Sequence, residues 1–223
     1  MNLFLSGGGS GEKSLQLDKK FVQALDKNKS LLYIPIAIDT QKHPYDSCYK
    51  FISDALNPLG QKNIVMWTEK ELKNKKKQDF SRFGGIYIGG GNTFKLLKEL
   101  KEFGVFEILK QLAKEGIPIY GGSAGAIIMG RTIIPSLYAD PNDAKLSDFS
   151  AMNLVKDYDI WCHYVSSMDS EIKKYREKYK MKIIALPENS GLFVTDGAIE
   201  VIGPGSAFVF DRKKLEVKPS KLV

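Results

Sequence analysis

Cysteine and histidine are scarce in this 223-residue chain, which has two of each. Cys48 and Cys162 are far apart and show no metal-type spacing, so we expect neither a disulfide framework nor a metal site. No apolar run approaches the roughly 20 residues that a bilayer-spanning helix needs. No secretory signal is recognised at the start. We therefore expect a cytoplasmic protein that needs no cofactor and has no membrane partner.

The composition is that of an ordinary globular protein, with 43% hydrophobic and 26% charged residues. We expect one domain over residues 1–223. The net charge of +7 could indicate nucleic-acid binding, but many lysines lie in residues 69–78 and 212–221 without aromatic residues between them. Solvated surfaces explain such lysines better, so no nucleic-acid partner is expected.

A Gly-x-Ser-x-Gly motif follows a short apolar run near the middle of the chain, at Gly121, Ser123 and Gly125. This is the sequence form of a nucleophile elbow, in which a serine stands on a tight turn between a strand and a helix. Small residues on either side relieve the crowding there. An ordinary glycine-rich turn is the alternative interpretation.

A second glycine-rich loop, residues 7–11, follows the first predicted strand, Asn2 to Ser6. A phosphate-binding loop would need Gly-Lys-Ser, but Glu12 interrupts that order and would repel phosphate. The dinucleotide pattern would need a further glycine at position 12. Nucleotide binding is therefore the weaker alternative for this loop.

Strand and helix patterns alternate over about the first 130 residues, which predicts a mainly parallel sheet. The predicted fold class is α/β, with three layers and helices on both faces of the sheet. Loops at Gly7, Gly89 and Gly121 would then lie together at the carboxyl ends of the strands, where such sheets bind ligands. Beyond Gly130 an irregular acidic segment is followed by short strands, with one polar helix between them.

A serine nucleophile needs a base, and only His43 and His163 can provide one. His163 ends a hydrophobic segment, Tyr158 to Tyr164, that reads as a strand. His43 follows the second predicted strand and also falls at the carboxyl edge. His163 is the better candidate for the base, and His43 is the alternative.

Four motifs together resemble peptidase family S51, which includes dipeptidase E and the cyanophycinases. They occur in order along nearly the whole chain: Gly89 to Phe94, Gly122 to Ala126, Asn153-Leu154 before His163-Tyr164, and Ala185 to Glu188. The resemblance implies a sheet like that of class I glutamine amidotransferases, which is flavodoxin-like or Rossmann-like. It also implies a serine exopeptidase that acts on short peptides through an acyl-enzyme.

The resemblance assigns roles to individual residues. Ser123 matches the nucleophile and His163 the general base, while Gly91 and Ala124 match the residues whose N–H groups form the oxyanion hole. The acid of the triad is expected between the serine and the histidine, at Asp140, and Asp143 is the alternative candidate.

Substrate preference departs from the aspartyl dipeptidases that the family contains. In those enzymes an arginine-rich stretch after the histidine supplies an arginine for the carboxylate of the substrate. In residues 166–176 of this chain, acidic residues stand where the arginine is expected. Arg176 matches that arginine only if the alignment is shifted. The choice between α and β peptide bonds and the oligomeric state stay open, a homodimer being one option. A catalytically silent binding or regulatory protein of the same fold is the alternative function.

Overall fold

Strands and helices alternate through the first half of the chain in the computed structural model, which describes residues 1–220. The strands are β1 Asn2–Ser6, β2 Ser30–Ile34, β3 Ile64–Met66, β4 Phe83–Ile88, β5 Pro118–Gly122, β6 Tyr158–Trp161, β7 Lys182–Ala185, β8 Gly191–Val194, β9 Ile199–Ile202, β10 Ala207–Phe210 and β11 Lys214–Val217. The helices are α1 Leu15–Ala24, α2 Tyr45–Leu56, α3 Glu69–Leu72, α4 Thr93–Glu102, α5 Val105–Lys114, α6 Ala124–Ile127 and α7 Asp169–Tyr179.

Seven strands form the main sheet, in the order β3-β2-β4-β5-β1-β8-β9. The first five in this order are parallel to one another, and β8 and β9 complete one edge in antiparallel fashion. This arrangement confirms the predicted mainly parallel sheet. Because β4, β5 and β1 are neighbours, the loops that follow them lie side by side at one edge.

The two faces of the main sheet bury separate clusters of apolar side chains. Leu3 and Leu5 of β1 pack on the face covered by α4 and α5, whereas Phe4 packs with Phe21 of α1 and Ile52 of α2 on the other face. This division follows from the alternation of side chains along a strand. The predicted helices on both faces are therefore present.

A separate four-stranded sheet, in the order β11-β10-β7-β6, is formed by strands from the second half of the chain. Strands β6 and β7 are parallel, with Trp161 opposite Ala185, and the chain between them contains α7. Trp161 packs with Ile172 of α7 in a third apolar cluster. The sequence patterns indicated short strands here but not that they form a second sheet.

Some predicted elements are longer than the observed ones. The strand predicted from Tyr158 to Tyr164 ends at Trp161, because His163 has a φ angle of 53° and leaves the extended conformation. The helix that follows Ser123 has only four residues.

Residues 1–220 contain no helix long and apolar enough to cross a membrane. The same part of the chain contains no group of three or more His, Cys, Asp or Glu side chains arranged to hold a metal ion.

We predict that Gly125→Ala destabilises the fold, since a β-carbon at this position would overlap the backbone carbonyl of Ile88 in β4. Overpacking against backbone costs about 1–3 kcal/mol of the free energy of unfolding, which urea denaturation measures. Gly197→Ala is the control, because no atom lies within 4 Å of its added β-carbon. Equal stability of the two variants would show that α6 can move away from β4 at little cost.

Candidate active site

Ser123 lies at the junction between β5 and α6, with φ and ψ angles of 48° and −106°. Such a conformation is strained for any residue with a side chain, so the surrounding structure must enforce it. A β-carbon on Gly121 would overlap the carbonyl group of Gly125, and one on Gly125 would overlap Ile88. The two glycines of the motif therefore allow the tight turn that exposes the Ser123 hydroxyl.

His163 faces the serine from the segment after β6. Its Nε2 atom lies 2.8 Å from Ser123 Oγ. The backbone N–H of His163 donates to the carbonyl of Gly7 at 2.9 Å, and its φ of 53° turns the side chain toward the main sheet. A β-carbon on Gly8 would overlap the imidazole ring, so a glycine at this position leaves room for the ring.

Glu188 contacts the other nitrogen of the same imidazole. Its Oε1 atom lies 3.2 Å from His163 Nδ1, and its Oε2 atom lies 2.7 Å from Lys13 Nζ. Chiefly the Lys13 ammonium, and after it His163, lower the pKa of the Glu188 carboxyl below its usual value. The carboxylate form of Glu188 is thereby favoured next to the histidine.

The first glycine loop supports this arrangement through close contacts. A β-carbon on Gly7 would overlap the carbonyl of Pro187, and one on Gly9 would overlap the carbonyl of Glu188. Close approach of backbones explains why glycines stand at these positions. The loop thus lies against the segments that carry the histidine and the glutamate, and Lys13 pairs with Glu188.

Two backbone segments adjoin the serine, the start of α6 and the loop after β4. Ala124 is the first residue of α6, where helical N–H groups lack partners within the helix. In the loop after β4, Gly90 approaches Ser123 so closely that an added β-carbon would lie 3.3 Å from Ser123 Cβ. Gly91 follows with a φ of 132°, and its N–H finds no acceptor within residues 1–220.

Acyl transfer requires a hydroxyl that is hydrogen-bonded to an imidazole, a carboxylate at the other imidazole nitrogen and free backbone N–H donors. A comparison with family models finds a match to peptidase family S51 over residues 3–202. The chain belongs to this family. It is a serine peptidase, a hydrolase of peptide bonds.

Curated relatives of this S51 peptidase carry the name peptidase E. One from Haemophilus influenzae is 29% identical over 196 residues, which cover 82% of this chain and 84% of the relative. One from Shewanella denitrificans is 25% identical over 211 residues, with 89% and 85% of the two chains covered. A solved peptidase structure from an acI-B1 Actinobacterium has the same fold, with a TM-score of 0.73, 13% identity and coverage of 100% and 96%.

In this S51 peptidase neither of the aspartates predicted for the triad forms a hydrogen bond with His163. Asp140 Oδ2 accepts a hydrogen bond of 2.8 Å from the Thr93 N–H, and the partner of His163 Nδ1 is Glu188. Asp143 is exposed and lines a different cavity, beside Lys95. This placement differs from the expectation that the acid would come from the loop between serine and histidine.

The remaining sequence candidates lie away from the serine. His43 is exposed in the turn before α2, and its N–H donates to the Asp39 carbonyl. Arg176 lies on α7, where its guanidinium donates to the Asp211 carbonyl and contacts Glu177 at 3.4 Å. Neither side chain lines the cavity next to Ser123.

Glu188 was expected only as part of the Ala185 to Glu188 motif, and its contact with His163 was not predicted. Strands β6 and β7 are parallel neighbours, so the residues that follow them emerge at one edge of the second sheet. His163 and Glu188 are those residues. No pattern in the sequence shows that β6 and β7 are neighbours, so the sequence carries no signal that pairs these two residues.

We predict that Lys13→Gln raises the pKa of Glu188 toward its usual value. The substitution removes the Lys13 ammonium, whose hydrogen bond to the carboxylate lowers this pKa the most. Carbon-detected NMR titration of the carboxyl group measures this shift. A depressed pKa contributes stability above the unfolded-state pKa, and that contribution is lost as the pH falls through the folded-state value. Because both side chains are largely exposed, the loss of stability at neutral pH should stay below about 1 kcal/mol.

Lys19→Gln is the control for this titration, since Lys19 is an exposed lysine on the neighbouring helix α1. Identical Glu188 titration curves in the two variants would contradict a specific pairing of Glu188 with Lys13.

Proposed function

We propose that this S51 peptidase is a serine exopeptidase that uses Ser123, His163 and Glu188 to release the first residue of short peptides. The observation that carries the proposal is the 2.8 Å contact between Ser123 Oγ and His163 Nε2 at a strained elbow. Relatives named peptidase E support the choice of short peptides as substrates.

In the proposed reaction Ser123 Oγ attacks the scissile carbonyl while its proton passes to His163 Nε2. The N–H groups of Gly91 and Ala124 stabilise the resulting oxyanion. The imidazolium then gives its proton to the departing amine, and the C–N bond breaks to leave an ester on Ser123. Water, deprotonated by the same imidazole, cleaves this ester and restores the serine hydroxyl.

Glu188 has an orienting role in this proposal. Its carboxylate accepts a hydrogen bond from the Nδ1–H of His163, which leaves Nε2 without a proton and able to accept the one from the serine. The same negative charge stabilises the imidazolium that forms during the reaction. Asp140 is not assigned this role, because its Oδ2 atom accepts from the Thr93 backbone.

A catalytically silent binding protein of the same fold is the second candidate. A silent protein has no need for an aligned hydroxyl, imidazole and carboxylate, and maintaining the strained Ser123 conformation has an energetic cost. The observed alignment therefore favours the enzyme.

We predict that Ser123→Ala abolishes turnover of every dipeptide that the wild-type protein cleaves, while the melting temperature is unchanged or higher. Alanine lacks the nucleophilic hydroxyl but keeps the β-carbon of serine. The packing of the elbow is therefore unchanged. A dipeptide and isoaspartyl dipeptide library read by mass spectrometry measures turnover, and a serine-reactive fluorophosphonate reports the adduct on Ser123. A wild-type protein that neither cleaves nor is labelled would be the silent protein.

We predict that Glu188→Gln lowers kcat by about 10²- to 10⁴-fold, because the imidazole loses the carboxylate that fixes its tautomer. Glu12→Gln is the matched control, since Glu12 is an exposed acid at the same rim. Steady-state kinetics on the best library substrate compare the two variants. Equal activity of both would remove Glu188 from the proposed triad.

A further inference from the structure

A small cavity opens beside Ser123 and His163, and Lys13 does not line it. Its volume is about 80 Å³. Tyr138, Trp161 and Met168 contribute apolar walls, and the rings of Tyr138 and Trp161 pack with their centroids 5.3 Å apart. A space of this size next to a nucleophile suits a small chemical group.

Two hydroxyl groups at this cavity have no partner. Thr93 Oγ1 and Ser136 Oγ are buried and make no hydrogen bond within residues 1–220, and both residues line the cavity. Thr93 is 0% exposed and Ser136 is 3% exposed. Buried polar atoms are almost always hydrogen-bonded, because leaving one without a partner costs free energy. Because both oxygen atoms are inaccessible to water, a polar molecule in the cavity can bond to them only after the neighbouring side chains move.

Asp140 contributes a carboxyl group to the same cavity. Its Oδ2 atom is held by the Thr93 N–H at 2.8 Å, and its Oδ1 atom makes no hydrogen bond to any of the residues that the structure describes. No lysine or arginine is among the described residues that line this cavity. A cation can approach Oδ1, whereas a second carboxylate would find no positive partner.

We propose that this cavity binds the first residue of the substrate, with Asp140 Oδ1 receiving its α-ammonium group and a small, uncharged side chain filling the space. The Thr93 and Ser136 hydroxyls supply hydrogen bonds to a polar group of that residue. The inference rests on the proposed function, because the carbonyl of the first residue must reach Ser123. It assigns to Asp140 the recognition of the free amino terminus, and it excludes aspartate as the first residue.

Charge and volume together select this class of substrate. A lysine or arginine side chain could pair with Asp140, but it is too bulky for a cavity of about 80 Å³. An acylated amino terminus carries no charge for Asp140 and adds bulk to the cavity. Peptides that begin with glycine, alanine or serine carry an α-ammonium group for Asp140 and have a first side chain small enough for the cavity.

The test compares alanyl, seryl and glycyl dipeptides with their N-acetylated forms and with aspartyl dipeptides. The wild-type enzyme should prefer the first group over both others. Asp140→Asn should lower kcat/KM for the free-amine substrates by about 10- to 100-fold, mainly through KM, and leave the acetylated substrates unchanged. Asp143→Asn is the matched control, because Asp143 is exposed and lines another cavity.

Labelling of Ser123 by a fluorophosphonate separates this inference from the proposed function, because the probe carries no ammonium group. Asp140→Asn should be labelled at the wild-type rate to within about threefold, whereas Glu188→Gln should be labelled far more slowly. Loss of labelling in Asp140→Asn would show that Asp140 acts on the serine and histidine, and would overturn the inference. A wild-type preference for aspartyl or acetylated peptides would also overturn it. Absence of labelling in the wild-type protein would contradict the proposed function itself.

Ser136→Thr tests the cavity without changing its charge. The added methyl group narrows the space and keeps the hydroxyl, so turnover of alanyl and seryl dipeptides should fall relative to glycyl dipeptides by about tenfold. An unchanged ratio would show that the first side chain lies outside this cavity.

Discussion

Backbone crowding beneath Ser123 is the constraint on which the rest of the site depends. Strand β5 lies between β4 and β1, and α6 begins at Ala124, so the serine alone forms the turn between strand and helix. Glycines at positions 121 and 125 are the residues that fit between the carbonyl groups there. The strained serine is therefore held by the main sheet itself and not by a mobile loop.

The same kind of close contact positions the histidine. The loop after β1 carries Gly7 and Gly8, which leave room for Pro187 and for the imidazole of His163. The Gly7 carbonyl also accepts the N–H of His163. A loop whose sequence suggests phosphate binding thus has a structural explanation, because glycines allow backbones and rings to approach closely as well as ligands.

Local sequence patterns predicted most of the main sheet. Strand β1 has its predicted bounds, and the glycine spacing around Ser123 reflects crowding that the structure contains. Period-two and period-3.6 patterns depend on neighbours along the chain, and these are visible in a sequence. The contact between Ser123 and His163 could also be anticipated, because the chain has only two histidines.

The role of Glu188 depends on information that is not local. It requires the pairing of Trp161 with Ala185, and no sequence pattern specifies which short strands become neighbours. Asp140 lies in an irregular segment without periodicity, so its bond to Thr93 could not be read from spacing. Counting residues between motifs gives an order along the chain, whereas a hydrogen bond depends on distance in space.

The division of the chain into two sheets has a consequence for inactivation. Ser123 follows a strand of the seven-stranded sheet, whereas His163 and Glu188 follow strands of the four-stranded sheet. Proton transfer across 2.8 Å tolerates little displacement, while each sheet is held by its own ladder of hydrogen bonds. A displacement of one sheet relative to the other would therefore stop catalysis while both ladders remain intact, and enzyme activity would report on the junction more directly than far-ultraviolet circular dichroism.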